Sequence, residues 1–303
     1  MFRWLTGRGA READITDMDA RITSVQWQWV MDSHAFVNEL SDDDKLQLRA
    51  RIAWFLASKS INGAAGFEVD DHIRLSIAAQ ACLPILHLEP SRYEGWNEVI
   101  VYPGGFLIPR TEVDEDGVVH EYVQEAAGEA WEGGPLILSW EDADPRQEAE
   151  PGSAFNVVIH EFAHKLDLAD GSGADGMPGL HAHPDLSPRV WMRVLEASYD
   201  AFCEQLEQVE AAIPADVDPE SRDADAWYGE LPLDPYAATD PAEFFAVSSE
   251  AFFVFPEPLA EALPEWYVLL KTFYRQDTVA RRQPVMAGRA LMGWPPGMSD
   301  GAG

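Results

Sequence analysis

An α+β fold is predicted by the order in which patterns follow one another along the chain. Short apolar runs bounded by Pro and Gly crowd the middle, and 3.6-periodic stretches fill the second half. Between them stands one apolar, helix-compatible segment carrying His160-Glu161-Phe162-Ala163-His164. With 303 residues, 47% of them hydrophobic, the chain can fill one large core. Residues 26–286 read as a single domain, flanked by flexible segments at 1–25 and 287–303.

The elements follow in order. Ser41-Asp42-Asp43-Asp44 starts a helix, a capping serine followed by carboxylates at the positive end of the macrodipole. Leu46, Leu48, Ile52, Phe55 and Leu56 carry its apolar face to Ser58. Gly63 and Gly66 bracket a break, and a second helix covers Asp71–Gln80. Leu83–Leu88, Glu98–Tyr102, Phe106–Ile108 and Gly134–Trp140 read as strands, with a weaker alternation over Val118–Val123. An acidic loop, Glu141–Pro151, leads into the histidine-bearing helix, for which Ser153 is the expected cap. Asp167–Pro184 is loop. Ser187-Pro188 opens a long helix whose apolar face runs from Val190 to Val209. Pro214–Leu233 is an exposed acidic insertion. Asp240-Pro241 caps and starts a helix reaching Phe253, and a last helix spans Pro264–Tyr274.

Charge excludes two classes of partner. The formal net charge is −32, so phosphate backbones and anionic membrane surfaces are repelled. No apolar run is long enough to span a bilayer, and the first residues show no secretory pattern. Cys82 and Cys203 lie in apolar contexts without metal-ligand spacing, as expected of free thiols in a reducing cytoplasm.

The H-E-x-x-H spacing carries the chemistry. Residues four apart on a helix share a face, so His160 and His164 can reach one ion. Neutral imidazoles suit Zn²⁺, and Glu161 stands beside them as a general base toward water. A catalytic zinc needs a third protein ligand. Asp170 lies six residues beyond His164, but Asp167 occupies the position where the intervening turn usually needs Gly. His181 and His183 sit in a Gly- and Pro-bearing loop. Glu243 and Glu250, seven apart on one apolar helix, are each expensive to bury without a cation or hydrogen bonds. Asp167 and Glu250 can also accept the outer N–H of a ligating histidine.

Tyr236-Ala237-Ala238-Thr239-Asp240-Pro241-Ala242-Glu243-Phe244-Phe245-Ala246 resembles the Y-x-x-T-x-x-x-E-F-F-A segment of the anthrax lethal factor catalytic domain. Over residues 40–285 the chain more closely resembles the Mlc titration factor A family of zinc peptidases. The resemblance includes Gly66-Phe67-Glu68, Cys82-Leu83-Pro84, Val101-Tyr102-Pro103, Gly134–Trp140 and His160–Asp167. It implies a zincin-like (gluzincin) metallopeptidase domain, a small mixed sheet packed against helices that include the H-E-x-x-H helix. It also implies His160, His164 and Glu243 as zinc ligands, Glu161 as general base and Tyr236 facing the developing oxyanion. Peptide substrates, aminopeptidase-type activity and a role in regulating sugar uptake are implied too. So is a second possibility, that the chain acts without catalysis by sequestering a glucose-responsive transcriptional repressor. The acidic stretch 214–233 departs from the family pattern.

Overall fold

The structure, a computed structural model, describes residues 12–113, 119–146, 154–219 and 221–282. Six strands lie among them: β1 (Ser60–Gly63), β2 (Glu98–Tyr102), β3 (Phe106–Val113), β4 (Val119–Ala126), β5 (Gly128–Ala130) and β6 (Leu136–Ser139). Four form a mixed sheet in the order β1-β2-β6-β5, while β3 and β4 make a separate antiparallel hairpin. β1, β2 and β6 run parallel, and their buried members Ile61, Val99, Val101, Leu136 and Leu138 face helices. β5 is the antiparallel edge, with Gly128 opposite Leu138.

Helices cover the sheet for local reasons that can be named. Ser41 accepts a hydrogen bond from the Asp44 amide and starts Asp42–Ser58; Asp70 accepts from Ile73 and starts Asp71–Cys82. The histidine helix (Val157–Asp167) is capped by Asn156, whose side chain accepts from the Ile159 amide at 2.9 Å. The expected cap, Ser153, lies outside the described residues. The glutamate helix (Pro241–Val254) is capped by Asp240, which accepts from both Ala242 and Glu243 amides.

These two helices pack on each other, and the histidine helix also rests on β5 and β6. Phe162 anchors the histidine helix among Phe55, Tyr93 and Trp96, at ring separations of 5.6, 5.2 and 5.8 Å. Phe245 anchors the glutamate helix against Trp191, Trp266 and Phe273. The site is thus suspended between two aromatic clusters, each buried from solvent.

Two expectations are corrected, the strand over Leu83–Leu88 and the place of Leu46. Leu83–Leu88 is a buried run of turns, not a strand. Its carbonyls are satisfied by side chains instead of a ladder: Gln276 donates to Leu83, Gln47 to Leu86 and Arg51 to Leu88. Residues 1–25, expected to be flexible, include a helix over Glu12–Arg21 and the start of another over Ser24–Ser33. Arg49 ties that corner down, bonding the Asp19 carboxylate and the carbonyls of Asp19 and Ile22. Leu46 is 68% exposed, so it does not belong to the apolar face of its helix. Residues 287–303 lie outside the described residues. No helix among the described residues is long and apolar enough to cross a membrane.

Candidate metal centre

The four-residue spacing on the histidine helix brings His160 and His164 side by side, ring centroids 4.8 Å apart. The two Nε2 atoms are 3.1 Å from each other. Glu243, on the first turn of the neighbouring helix, places Oε2 at 3.0 Å from His160 Nε2 and 3.3 Å from His164 Nε2. Among the described residues these are the three His, Cys, Asp or Glu side chains whose ligand atoms converge in this way. Asp170 is not among them; its carboxylate instead accepts from the amide and hydroxyl of Ser172. His183 packs its ring on Phe273 at 5.0 Å, and neither it nor His181 joins the cluster.

The donor set fits a small dication. Tetrahedral zinc bonds of about 2.0–2.1 Å put ligand atoms roughly 3.3 Å apart, close to the three separations found. Hydrogen-bond chemistry points the same way. Glu250 Oε1 lies 2.8 Å from His160 Nδ1, and only the imidazole can donate in that pair. A neutral His160 therefore turns a bare lone pair on Nε2 toward the other two acceptor atoms. With His164 protonated on Nδ1 as well, three lone pairs converge and repel unless a cation lies between them.

Charge and burial show the same demand for a positive charge at this point, met by a proton on His160 when no metal is bound. Burial works against protonation of His160, but Glu243 and Glu250 outweigh it and hold its pKa well above the ordinary range. Burial likewise opposes ionisation of Glu243, yet the bonds from His160 and His164 hold its pKa well below the usual carboxylate range. Glu250 is itself held, accepting from the Asn156 amide at the start of the histidine helix.

Glu161 is different. It is only 5% exposed, and its Oε2 has no hydrogen-bond partner. Burial raises its pKa, reinforced by Glu243 and Glu129 and opposed by the two histidines. It faces a cavity of about 430 Å³ that His160, His164, Glu243 and Tyr236 also line. Tyr236 is 45% exposed, on the one-turn helix Pro235–Ala238, its ring 6.1 Å from that of His160. Asp167, the other candidate outer acceptor, is fully buried and takes the Gly176 amide at 2.8 Å. Burial pushes its carboxyl up to about 7.

Some of the site escaped sequence reasoning. A Cβ at Gly128 would lie 2.4 Å from Glu161 Oε1, so the edge strand touches the carboxylate only because this residue is Gly. Lys165 donates to the carbonyls of Trp131 and Gly134, fastening the β5–β6 turn to the histidine helix. Glu129, Glu132 and Asp234 complete the cavity wall. A Gly inside a three-residue strand was the one available signal, and no alternation flagged it.

Comparison with known proteins places most of the chain. The pattern of the glucose-regulated metallo-peptidase M90 family matches residues 8–275. Mlc titration factor A of Pectobacterium atrosepticum is 35% identical, over 86% of this chain and 89% of the relative. Its counterpart in Serratia proteamaculans is 33% identical over 88% and 92%, and that of Escherichia coli O9:H4 is 32% identical over 86% and 90%. On residues matched from one end of the described fold to the other, the chain belongs to the glucose-regulated metallo-peptidase M90 family.

Proposed function

We propose that this chain is a cytoplasmic zinc peptidase in which His160, His164 and Glu243 hold the metal and Glu161 is the general base. The observation that carries the reading is the convergence of three potential ligand atoms 3.0–3.3 Å apart beside a buried carboxylate with one unpartnered oxygen. Zinc held there supplies Lewis acidity, making water a better nucleophile and a peptide carbonyl a better electrophile.

The chain's own groups do the rest. Glu161 takes a proton from the attacking water and returns it to the leaving amine, a transfer favoured by a carboxyl whose pKa burial has raised. Tyr236 donates a hydrogen bond to the oxyanion as the carbonyl becomes tetrahedral, a contribution typically worth about 10²–10³ in rate. Glu250 fixes the tautomer and orientation of His160. β5, an edge strand among the described residues, offers backbone groups to an extended peptide lying across the cavity. Aminopeptidase-type cleavage belongs to this reading through the family resemblance, and preference for free over acetylated peptides checks it.

The decisive variant is Glu161→Gln. It is expected to bind zinc as the parent does and to lose peptide hydrolysis by at least about 10²-fold, the low end for a general base. Undiminished hydrolysis by a zinc-loaded Glu161→Gln chain removes Glu161 from the mechanism.

A second reading is favoured by the relatives' name. The relatives are named for the titration of Mlc, and in this reading the chain acts by binding a transcriptional repressor. Repressor binding by the Glu161→Gln chain separates the two readings: a role that needs no chemistry survives the substitution.

A further inference from the structure

We infer, building on the zinc-site reading above, that Gln80 and Asn156 are positioning residues that hold His160 for the metal through a directed run of hydrogen bonds. Gln80 is 3% exposed on the Asp71–Cys82 helix, where Ile77, Ala78, Ala79, Ala81 and Cys82 are all buried around it. An amide in such a place is costly unless its polar atoms are bonded. Here both ends of the amide have partners. Oε1 accepts from Asn156 Nδ2 at 2.7 Å, and Nε2 donates to the carbonyl and the hydroxyl of Ser76, each at 3.3 Å. The Ser76 hydroxyl in turn meets His34 Nε2.

The direction of the run is set at the start of the histidine helix. Asn156 Oδ1 accepts the Ile159 amide at 2.9 Å, so its NH₂ is left to face Gln80, and Gln80 must present oxygen to it. The Asn156 backbone takes part as well. Its carbonyl accepts the His160 amide at 3.0 Å, and its N–H donates to Glu250 Oε2. The other oxygen of Glu250 accepts from His160 Nδ1 at 2.8 Å. All four polar groups of Asn156 are thus engaged, and two of them lead to His160. Serine or aspartate would also cap this helix, but neither extends an N–H toward Gln80. The asparagine therefore does more than start a helix. Gln80 fixes its amide, and its backbone N–H aims the carboxylate that sets the tautomer and plane of His160.

The test reads the metal without asking for turnover. Gln80→Met keeps the volume and removes the acceptor, whereas Asn156→Ser keeps the cap and removes the donor. Each breaks the same 2.7 Å bond from one side. Zinc Kd, from competition with a chromophoric chelator, should rise by about tenfold in each, the low end for groups that orient a ligand. The double variant should do no worse than either single one, because the bond is lost only once. In the cobalt-loaded chain at full occupancy, the visible d–d bands should shift with either substitution, which a loss of stability alone does not produce. Leu269→Ala, a core truncation on the Pro264–Tyr274 helix, is the control: it should lower the melting temperature and leave both metal readouts at parent values.

Unchanged Kd and unmoved cobalt bands in the single variants overturn the relay while leaving the zinc reading intact, and so do losses that multiply in the double variant. Should Gln80→Met fail to fold, Asn156→Ser decides alone. A parent chain that binds neither metal overturns the zinc reading instead. In that event the Nδ1 proton of His160, followed by NMR in the metal-free chain with isotope-labelled histidine, still decides the relay. Faster exchange with water in both variants sustains it, and an unchanged resonance removes it.

Discussion

Two regions of this molecule bury a histidine and do opposite things to its charge. His34 lies 3% exposed between the N-terminal helices and the Asp71–Cys82 helix, with the Ser76 hydroxyl 3.1 Å from Nε2. Burial there lowers its pKa to about 4, and no charged group counters it. His160 is half-buried, its side chain 12% exposed, yet Glu243 and Glu250 overcome the cost of burial and raise its pKa well above normal. The difference teaches what the second region is for. A core tolerates a neutral histidine with one hydroxyl partner. Two carboxylates on one imidazole, with a second imidazole alongside, are costly until a cation joins them.

The largest expected effect separates the two carboxylates on the glutamate helix. Glu243→Ala removes an atom at 3.0 and 3.3 Å from the two histidines, and zinc content after dialysis should fall to background. Glu250→Ala touches only the far nitrogen of His160 and the Asn156 amide, so zinc affinity should fall by about 10–100-fold. The reverse order in a competitive zinc assay exchanges their roles and breaks the contrast with His34, since Glu250 would then be the atom that completes the site.

How much of this was legible beforehand depends on the range of the signal. The histidine spacing, the Asp240-Pro241 helix start and the strands Glu98–Tyr102 and Leu136–Ser139 are local patterns, and the structure has them. The role of Asn156 is also local, but Ser153 competed for it because both residue types cap helices. Leu83–Leu88 misled because continuous burial and a strand look alike in sequence; only Gln47, Arg51 and Gln276, each distant along the chain, make a loop affordable there. The edge strand β5 was invisible because three residues make no period. Glu243 was one of several candidates from its own surroundings and stood out only through resemblance, since what selects it is a packing of two helices 79 residues apart.

The next effect concerns pH and sharpens the other half of the comparison. His34 titrates at 6.5 when unfolded and about 4 when folded, so folding expels a proton in the interval between. The unfolded chain then binds more protons, and stability rises with pH there. The stabilisation is fully present above 6.5 and is lost as pH falls through about 4, amounting to about 3 kcal/mol. Urea titrations at pH 7 and 4.5 should show this acid loss in the parent and a smaller one in His34→Gln. Equal losses in both chains would mean that His34 meets water or a charge in the folded protein.

The smallest expected effect is the most exacting about geometry, because it adds one carbon and removes nothing. At Gly128 a methyl group would sit 2.4 Å from Glu161 Oε1 and 2.5 Å from its Cγ. One of the two must move. If the carboxylate swings away, the base leaves its position over the histidines; if β5 recedes, the peptide lying on it shifts by a comparable distance. Either displacement, about 1 Å, is enough to cost roughly 10²-fold in turnover. The three atoms nearest this carbon all belong to Glu161 and none to His160, His164 or Glu243, so Gly128→Ala should keep its zinc and its melting temperature while kcat falls. The contrast with Glu243→Ala is then complete: one substitution takes the metal and the activity together, the other takes the activity alone. Full turnover in a zinc-loaded Gly128→Ala chain would show that Glu161 need not stand where it does, and the general base would have to be sought elsewhere on the cavity wall.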